Sequence, residues 1–348
     1  MLDFMSEKKS SWEKIQESNL PVVVYGMGNG ADKVIDEFIR LGISVKGVTA
    51  SDDFVRGQSF RGYKVTKLSD FDGEFIVAVA FASCVPEVMN HIFSLQNKHR
   101  VIVPCVPVFG DDIFNREFIE NNKDKLISAY GLFEDESKKT FAGCIDFIFG
   151  GELDKLKEIT TDKDEVFENI IKFDDEESYL DLGAYRGDTV DEFLKYCNGK
   201  YSDITALEPD VRTYKKLCDY LKNIPKSVAC QKAVYSENKT IVFSNKAGRQ
   251  SAISSKGTEI DAITVDTICK DKNITYIKMD VEGAEAEAID GAEETLRNKK
   301  PKLNIALYHR SVDIFELPLK IASINNNYKF YIRRHPYIPC WDMNLYCI

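Results

Sequence analysis

Tyr179-Leu-Asp-Leu-Gly-Ala-Tyr-Arg-Gly-Asp188 is the stretch that decides the fold. A β-rich run ends in Asp181, turns through Gly183 and Gly187, and passes into a helical pattern at Thr189. Glycines at the end of a parallel strand let a ligand approach the backbone. The amides of the following helix can hold a carboxylate or phosphate. The next strand ends in Ala206-Leu-Glu208-Pro209-Asp210, with Glu208 21 residues beyond Gly187. An acid so placed takes both ribose hydroxyls of a nucleoside. A later run, Thr275-Tyr-Ile-Lys-Met-Asp280, also ends in an acid, beside the first strand under the usual switch-point order. Together these features specify a nucleoside cofactor on a doubly wound sheet. Tyr185 stands where a dinucleotide fingerprint has its middle glycine, which closes the approach a pyrophosphate needs. Carboxylates at the mouth suit a cationic sulfonium, so S-adenosylmethionine is favoured over a dinucleotide.

Outward from this stretch, candidate strands fall at 179–182, 203–207, 227–234, 239–243, 275–280 and 302–308, with helices after most of them. Two more, 328–332 and 343–347, flank a loop with Pro336 and Pro339 and predict an antiparallel hairpin at a sheet edge. The amino-terminal end shows the same rhythm. Pro21–Tyr25 is a buried-strand run closed by Gly26-Met-Gly28-Asn-Gly30, and Ala31–Leu41 has Val34, Ile35, Phe38 and Ile39 at helical spacing. Further strands are expected at 43–48, 75–80 and 101–104. Strands alternating with helices predict parallel sheets. The expected class is α/β, with two Rossmann-like doubly wound domains at 15–110 and 178–348. A helical segment at 111–177, with helices near 117–129 and 137–148, is expected to join them.

The 348 residues suit two domains. With 44% hydrophobic and 29% charged residues the chain is globular in composition. A net charge of −10 argues against wrapping nucleic acid. No run reaches the roughly 18–20 apolar residues of a membrane span, and Met1–Ser10 lacks the order of a signal peptide. A cytoplasmic protein is expected. The nine cysteines are scattered, without a Cys-x-x-Cys pair, and predict neither a disulfide framework nor a structural zinc site. An oligomer is left open.

Ile277-Lys-Met-Asp-Val-Glu-Gly-Ala-Glu285, with Gly291-Ala292, Leu296, Pro301 and Tyr308-His309, resembles the signature of FkbM-family methyltransferases. Asp181–Asp188 and Val265-Asp266-Thr267 are similar to that family's upstream blocks, so the likeness runs from about Tyr179 to Ile332. The resemblance implies a class I methyltransferase fold in the carboxyl-terminal domain. It further implies S-adenosylmethionine as cofactor and methylation of oxygen on a sugar or natural product. By it, Asp181, Gly183, Ala184, Tyr185, Gly187 and Asp188 border the methionine half. Glu208, with Pro209, holds the ribose, and Ala233-Val234 lie near the adenine. The family commonly has a small hydrophobic residue where Tyr185 stands.

Methyl transfer from a sulfonium is an in-line displacement whose leaving thioether needs no acid. A hydroxyl acceptor gains from a base, worth roughly 10²–10⁴-fold. His309, following strand 302–308, is the preferred base, with Asp280 and Glu282 beside it. Asp280, Glu282, Glu285 and His309 could also take Mg²⁺ through oxygen. Helix capping or cofactor contact is the favoured reading of these acids over a metal, and Lys278 is expected to pair with one of them. The Gly248–Ala252 loop is a candidate lid. The rival function lies in the first domain, where Gly26-Met-Gly28-Asn-Gly30-Ala31 fits G-x-G-x-x-[GA] and Asp52 follows 21 residues later. That pattern would serve an NAD- or nucleotide-sugar-binding enzyme or binding protein, the domain gripping a nucleotide or a partner. The partners expected are a small-molecule or saccharide acceptor, with neither nucleic acid nor membrane insertion.

Overall fold

The structure, a computed structural model, describes residues 8–243 and 257–348. The chain divides into two compact units, one of Met1–Ile127, Asp135–Thr160 and Arg334–Asp342, the other of Ser128–Glu134, Thr161–Arg333 and Met343–Ile348. Among the described residues no helix is long and apolar enough to cross a membrane.

The first unit is built on six strands: β1 (Val22–Tyr25), β2 (Val45–Thr49), β3 (Ser59–Phe60), β4 (Tyr63–Thr66), β5 (Ile76–Val79) and β6 (Arg100–Ile102). Their order is β3-β4-β2-β1-β5-β6, parallel throughout except for the β3–β4 hairpin. Every residue of β1 is buried, as a central parallel strand requires. The helix Asn29–Arg40 turns Ala31, Val34, Ile35 and Phe38 inward, and Trp12 of the helix Ser11–Ser18 meets Phe38 edge-on at 5.6 Å. Ile39, expected on that face, is exposed.

The segment 111–177 is helical, yet it forms no separate bridge. The helix Asp135–Gly150 buries Phe141, Cys144, Ile145, Phe147 and Phe149. Its Asp146 accepts from Lys8 at 2.7 Å, and the Gly150 carbonyl accepts from Lys14 at 3.0 Å, which ties it to the first unit. Residues 161–177 go the other way, because Val166, Phe167 and Ile171 pack in the core of the second unit. The helix expected at 117–129 is two, Arg116–Asn121 and Lys123–Leu132, separated at Asn122.

The second unit carries ten strands: β7 (Ser178–Leu182), β8 (Asp203–Leu207), β9 (Ser227–Cys230), β10 (Ala233–Val234), β11 (Lys239–Phe243), β12 (Thr258–Ile263), β13 (Tyr276–Met279), β14 (Lys302–Ala306), β15 (Phe330–Arg334) and β16 (Met343–Cys347). Seven form one sheet in the order β15-β16-β14-β13-β7-β8-β9, and β10-β12-β11 form a small second one. The strands β14, β13, β7, β8 and β9 run parallel, while β16 is antiparallel to β14. The carboxyl-terminal pair lies at the sheet edge, with reciprocal bonds between Lys329 and Ile348. The run expected as one strand at 227–234 is two, because the chain turns after Cys230 and gives Ala233–Val234 to the small sheet. The strand at 258–263 was not expected.

One face of the large sheet is held by stacked rings. Phe193 of the helix Asp188–Tyr196 lies 4.5 Å from Tyr179 and 5.0 Å from Phe173, and Tyr179 stacks on Tyr276 at 5.0 Å. Phe193 is 1% exposed, so its truncation leaves a cavity between sheet and helix. Phe193→Ala should cost about 3–5 kcal/mol, read as a lower urea midpoint at unchanged slope; an unmoved midpoint would show that this contact does not hold the sheet.

Candidate active site

The site is built at the carboxyl ends of parallel strands. Asp181, one residue before the end of β7, is fully buried between β8 and β13, its Cα in register with Ala206 and Lys278. One carboxylate oxygen accepts from the Thr189 hydroxyl. The other, Oδ1, is buried and has no hydrogen-bond partner. Burial, opposed by Lys278 and Thr189, pushes this carboxyl up to about 6.

Past Asp181 the chain needs glycine for a reason beyond ligand approach. Gly183 has φ +86°, and a Cβ there would run into the Asp280 carbonyl oxygen, so the absence of a side chain lets the ends of β7 and β13 touch. Gly187, at φ +96°, faces the Tyr220 ring in the same way. Ala184 is buried between them and Asp188 is exposed, opening the helix. Tyr185 has φ +48° and gives its backbone N–H to Glu208 Oε2 at 3.0 Å, while Arg186 lies 4.8 Å over its ring.

Glu208 follows β8 and is 7% exposed. Its Oε1 accepts from the Asp210 N–H at 2.8 Å, so both oxygens are oriented by backbone amides across Pro209. Burial pushes Glu208 up to about 7. Its own N–H bonds the Cys230 carbonyl at 3.1 Å, which starts the β10 segment beside it, and Ala233 is buried there.

Asp280, Glu282, Glu285 and His309 come together at the ends of β13 and β14. His309 Nδ1 is 2.9 Å from Glu285 Oε1, and its Nε2 is 3.4 Å from Asp280 Oδ1 and 3.5 Å from Glu282 Oε2. Glu285 Oε1 also accepts from the Val281 N–H at 2.8 Å. Lys278 lies 3.4 Å from Asp280, as the sequence suggested, and the Tyr308 hydroxyl is 3.3 Å from both Asp280 oxygens. Burial raises Asp280, but Lys278 and His309 outweigh it and hold the carboxyl below its ordinary value.

His309 is 1% exposed. Burial works against its charge, yet Glu285, Asp280 and Glu282 prevail and push it up to about 10. With these neighbours it carries its proton at neutral pH, whereas a general base must start without one. Sequence reasoning also passed over Asp313, which accepts from the Arg310 N–H at 2.7 Å and is pushed by burial and Glu285 up to about 7. The acid four residues after His309, where a helix starts, was the available signal.

In the first unit, Gly28 caps the helix Asn29–Arg40 without a side-chain bond, and a Cβ on Gly30 would stand 3.1 Å from the Ala80 carbonyl oxygen. Asp52 lies in a short 3₁₀ turn beyond β2, exposed and 3.3 Å from Lys67. The candidate lid at Gly248–Ala252 falls outside the described residues.

Residues 181–330 match the model of the methyltransferase FkbM domain. The carboxyl-terminal half is an FkbM methyltransferase domain. The chain thus carries an S-adenosylmethionine-dependent methyltransferase domain, and every cofactor-facing and catalytic candidate lies inside the matched range, with Asp181 as its first residue. The crystal structure of methyltransferase FkbM from Methylobacillus flagellatus shares the fold at TM-score 0.73 and 19% identity, covering 96% of this chain and 92% of that one. The precorrin-6y C5,15-methyltransferase of Geobacter metallireducens is more remote, with TM-score 0.34, 12% identity, and 55% and 94% coverage, a likeness too slight to carry an argument. No curated protein matches the FkbM chain in sequence.

Asp181 sets a stability prediction. Its folded value of about 6 stands above the ordinary carboxyl value of 3.8, so its contribution is fully present below pH 4 and is lost as pH rises through 6. Asp181→Asn removes the buried charge and should raise the melting temperature of the cofactor-free protein at pH 8, with no gain at pH 4. Equal melting shifts at both pH values would contradict the burial cost assigned to this carboxylate.

Proposed function

We propose that the FkbM domain methylates a hydroxyl of a saccharide or natural-product acceptor, with S-adenosylmethionine seated along the Asp181 turn and Glu208. The observation that carries this reading is the orphaned, buried Oδ1 of Asp181 beside a second buried carboxylate at the end of the neighbouring strand. A carboxylate raised by burial gains most from a ligand that brings positive charge or hydrogen-bond donors. The cofactor offers both, an ammonium and sulfonium on one half and ribose hydroxyls on the other. Asp181, Gly183, Ala184, Gly187 and Asp188 then border the methionine half. Glu208, held by the Tyr185 and Asp210 amides, takes the ribose, with Pro209 and Ala233 toward the adenine.

Asp280, Glu282 and His309 face the acceptor. Its oxygen attacks the methyl carbon in line, a C–O bond forms, and the electron pair of the broken S–C bond returns to sulfur. The main contribution of the protein is alignment, with the acceptor oxygen held about 3 Å from the methyl carbon. The acceptor proton leaves toward the Asp280 cluster.

Calorimetry tests the cofactor seat. S-adenosylmethionine should give heat and NAD none, and Glu208→Ala should abolish that heat. Since ionised Asp181 and Glu208 bind best, affinity should fall as pH drops through about 7 and then about 6. The slope should approach about tenfold per unit for each proton taken up, and Glu208→Gln should remove the upper step. Affinity that is flat from pH 8 to 6 in the parent protein would remove these carboxylates from the cofactor seat.

A further inference from the structure

We propose that the FkbM domain binds one divalent cation through His309 Nε2, Asp280 Oδ1 and Glu282 Oε2, on the acceptor side of the site. The two separations from Nε2, 3.4 and 3.5 Å, are longer than the 2.7–2.9 Å of a charge-assisted hydrogen bond. They match ligands that share one ion: donors about 2.1–2.3 Å from a metal in an octahedral or tetrahedral shell stand about 3.0–3.7 Å apart. The other ring nitrogen is 2.9 Å from Glu285 Oε1, which the Val281 amide fixes in place. A carboxylate behind a histidine in this way orients the imidazole of a metal site and raises its basicity.

An independent observation points to the same ligand. Glu285 is 1% exposed and its Oε2 is buried without a hydrogen-bond partner. One donor atom each from Asp280, Glu285 and His309 lies within 4.8 Å of the others. Glu285, the carboxylate behind the ring, belongs to the same acidic group, and a cation held in that group lowers the cost of its unpaired buried oxygen. The donors stand on firm ground, since Asp280 ends β13 against Gly183 and His309 follows β14. One imidazole with carboxylates suits Mn²⁺ or Mg²⁺ better than a thiophilic ion.

Binding exchanges the Nε2 proton for the cation and releases that proton to solvent. A remaining coordination position can hold the acceptor hydroxyl and lower its pKa, as a bound metal does for water. The hydroxyl proton would then pass to solvent, and its oxygen would form the C–O bond as the S–C electron pair returns to sulfur. This role rests on the methyltransferase reading above; the binding of the cation does not.

The test titrates Mn²⁺ into chelator-treated, full-length protein and follows loss of the six-line spectrum of free Mn²⁺. One ion per chain should be captured. His309→Ala should lose it, and Glu285→Gln should weaken it roughly 10–100-fold. S-adenosylmethionine heat retained in His309→Ala shows that the variant is folded; Asp280→Asn gives the same readout should the alanine variant fail. An undiminished Mn²⁺ spectrum with excess protein overturns the inference, as does capture by His309→Ala equal to the parent. Mn²⁺ captured by the parent and lost in the variants, without cofactor heat in either, upholds the cation site and removes only the cofactor reading. Cofactor heat without Mn²⁺ capture does the reverse.

Discussion

The register of three parallel strands is the constraint on which the site depends. Asp181 is level with Ala206 of β8 and Lys278 of β13, so the strand ends that follow, with Glu208 and Asp280, open on one edge. A shift of one residue in β7 would turn Asp181 to the opposite face of the sheet and bring a leucine to the mouth. Parallel pairing makes the level edge available, since ligands of such sheets bind outside the carboxyl ends. Gly183 completes it. Any side chain there would collide with the Asp280 carbonyl, pushing apart the ends of β7 and β13.

Much of this edge was legible because its signals are local. A glycine turn after an apolar run, an acid at the end of the next run, and Asp-Val-Glu-Gly after a third each occupy fewer than a dozen consecutive residues. The expected strands at 203–207, 239–243 and 343–347 have the bounds found. Partner choice was not legible. Lys239–Phe243 reads as an ordinary strand, yet it joins β12 in a separate sheet, a decision made by residues some twenty positions away. The helices of 111–177 show their period but not which core their apolar faces enter. Phe141 and Phe147 pack in one unit and Phe167 in the other. Helical periodicity carries no address.

His309 shows the same limit within the site. The sequence gives an imidazole near the end of a strand and the ordinary affinity of such a ring for protons. It groups Glu285, Glu282 and Asp280 with that ring but does not show how closely they surround it, and that closeness decides its charge. The glycines carry a related lesson. They read as room for a ligand, but the nearest obstacles to a side chain at Gly183 and Gly187 are the protein's own Asp280 and Tyr220. A glycine motif therefore records the closeness of the chain to itself as well as to a ligand, which also bears on Gly30 beside the Ala80 carbonyl.

The acids along the edge fall into two electrostatic classes, and the division follows from what each one faces. Asp181 is answered by Lys278 and the Thr189 hydroxyl and Glu208 by backbone amides, but in both burial prevails and the carboxyl is pushed up. Asp280, less deeply buried, is met by Lys278 and His309 together, and these cations outweigh its burial. The first class is incomplete without an external cation or donor, which is the complement a sulfonium nucleoside presents. The second class gathers three carboxylates round one imidazole, with Lys278 beside Asp280. One strand edge thus holds two kinds of acidic surface, and they meet at the close approach of Gly183 to Asp280.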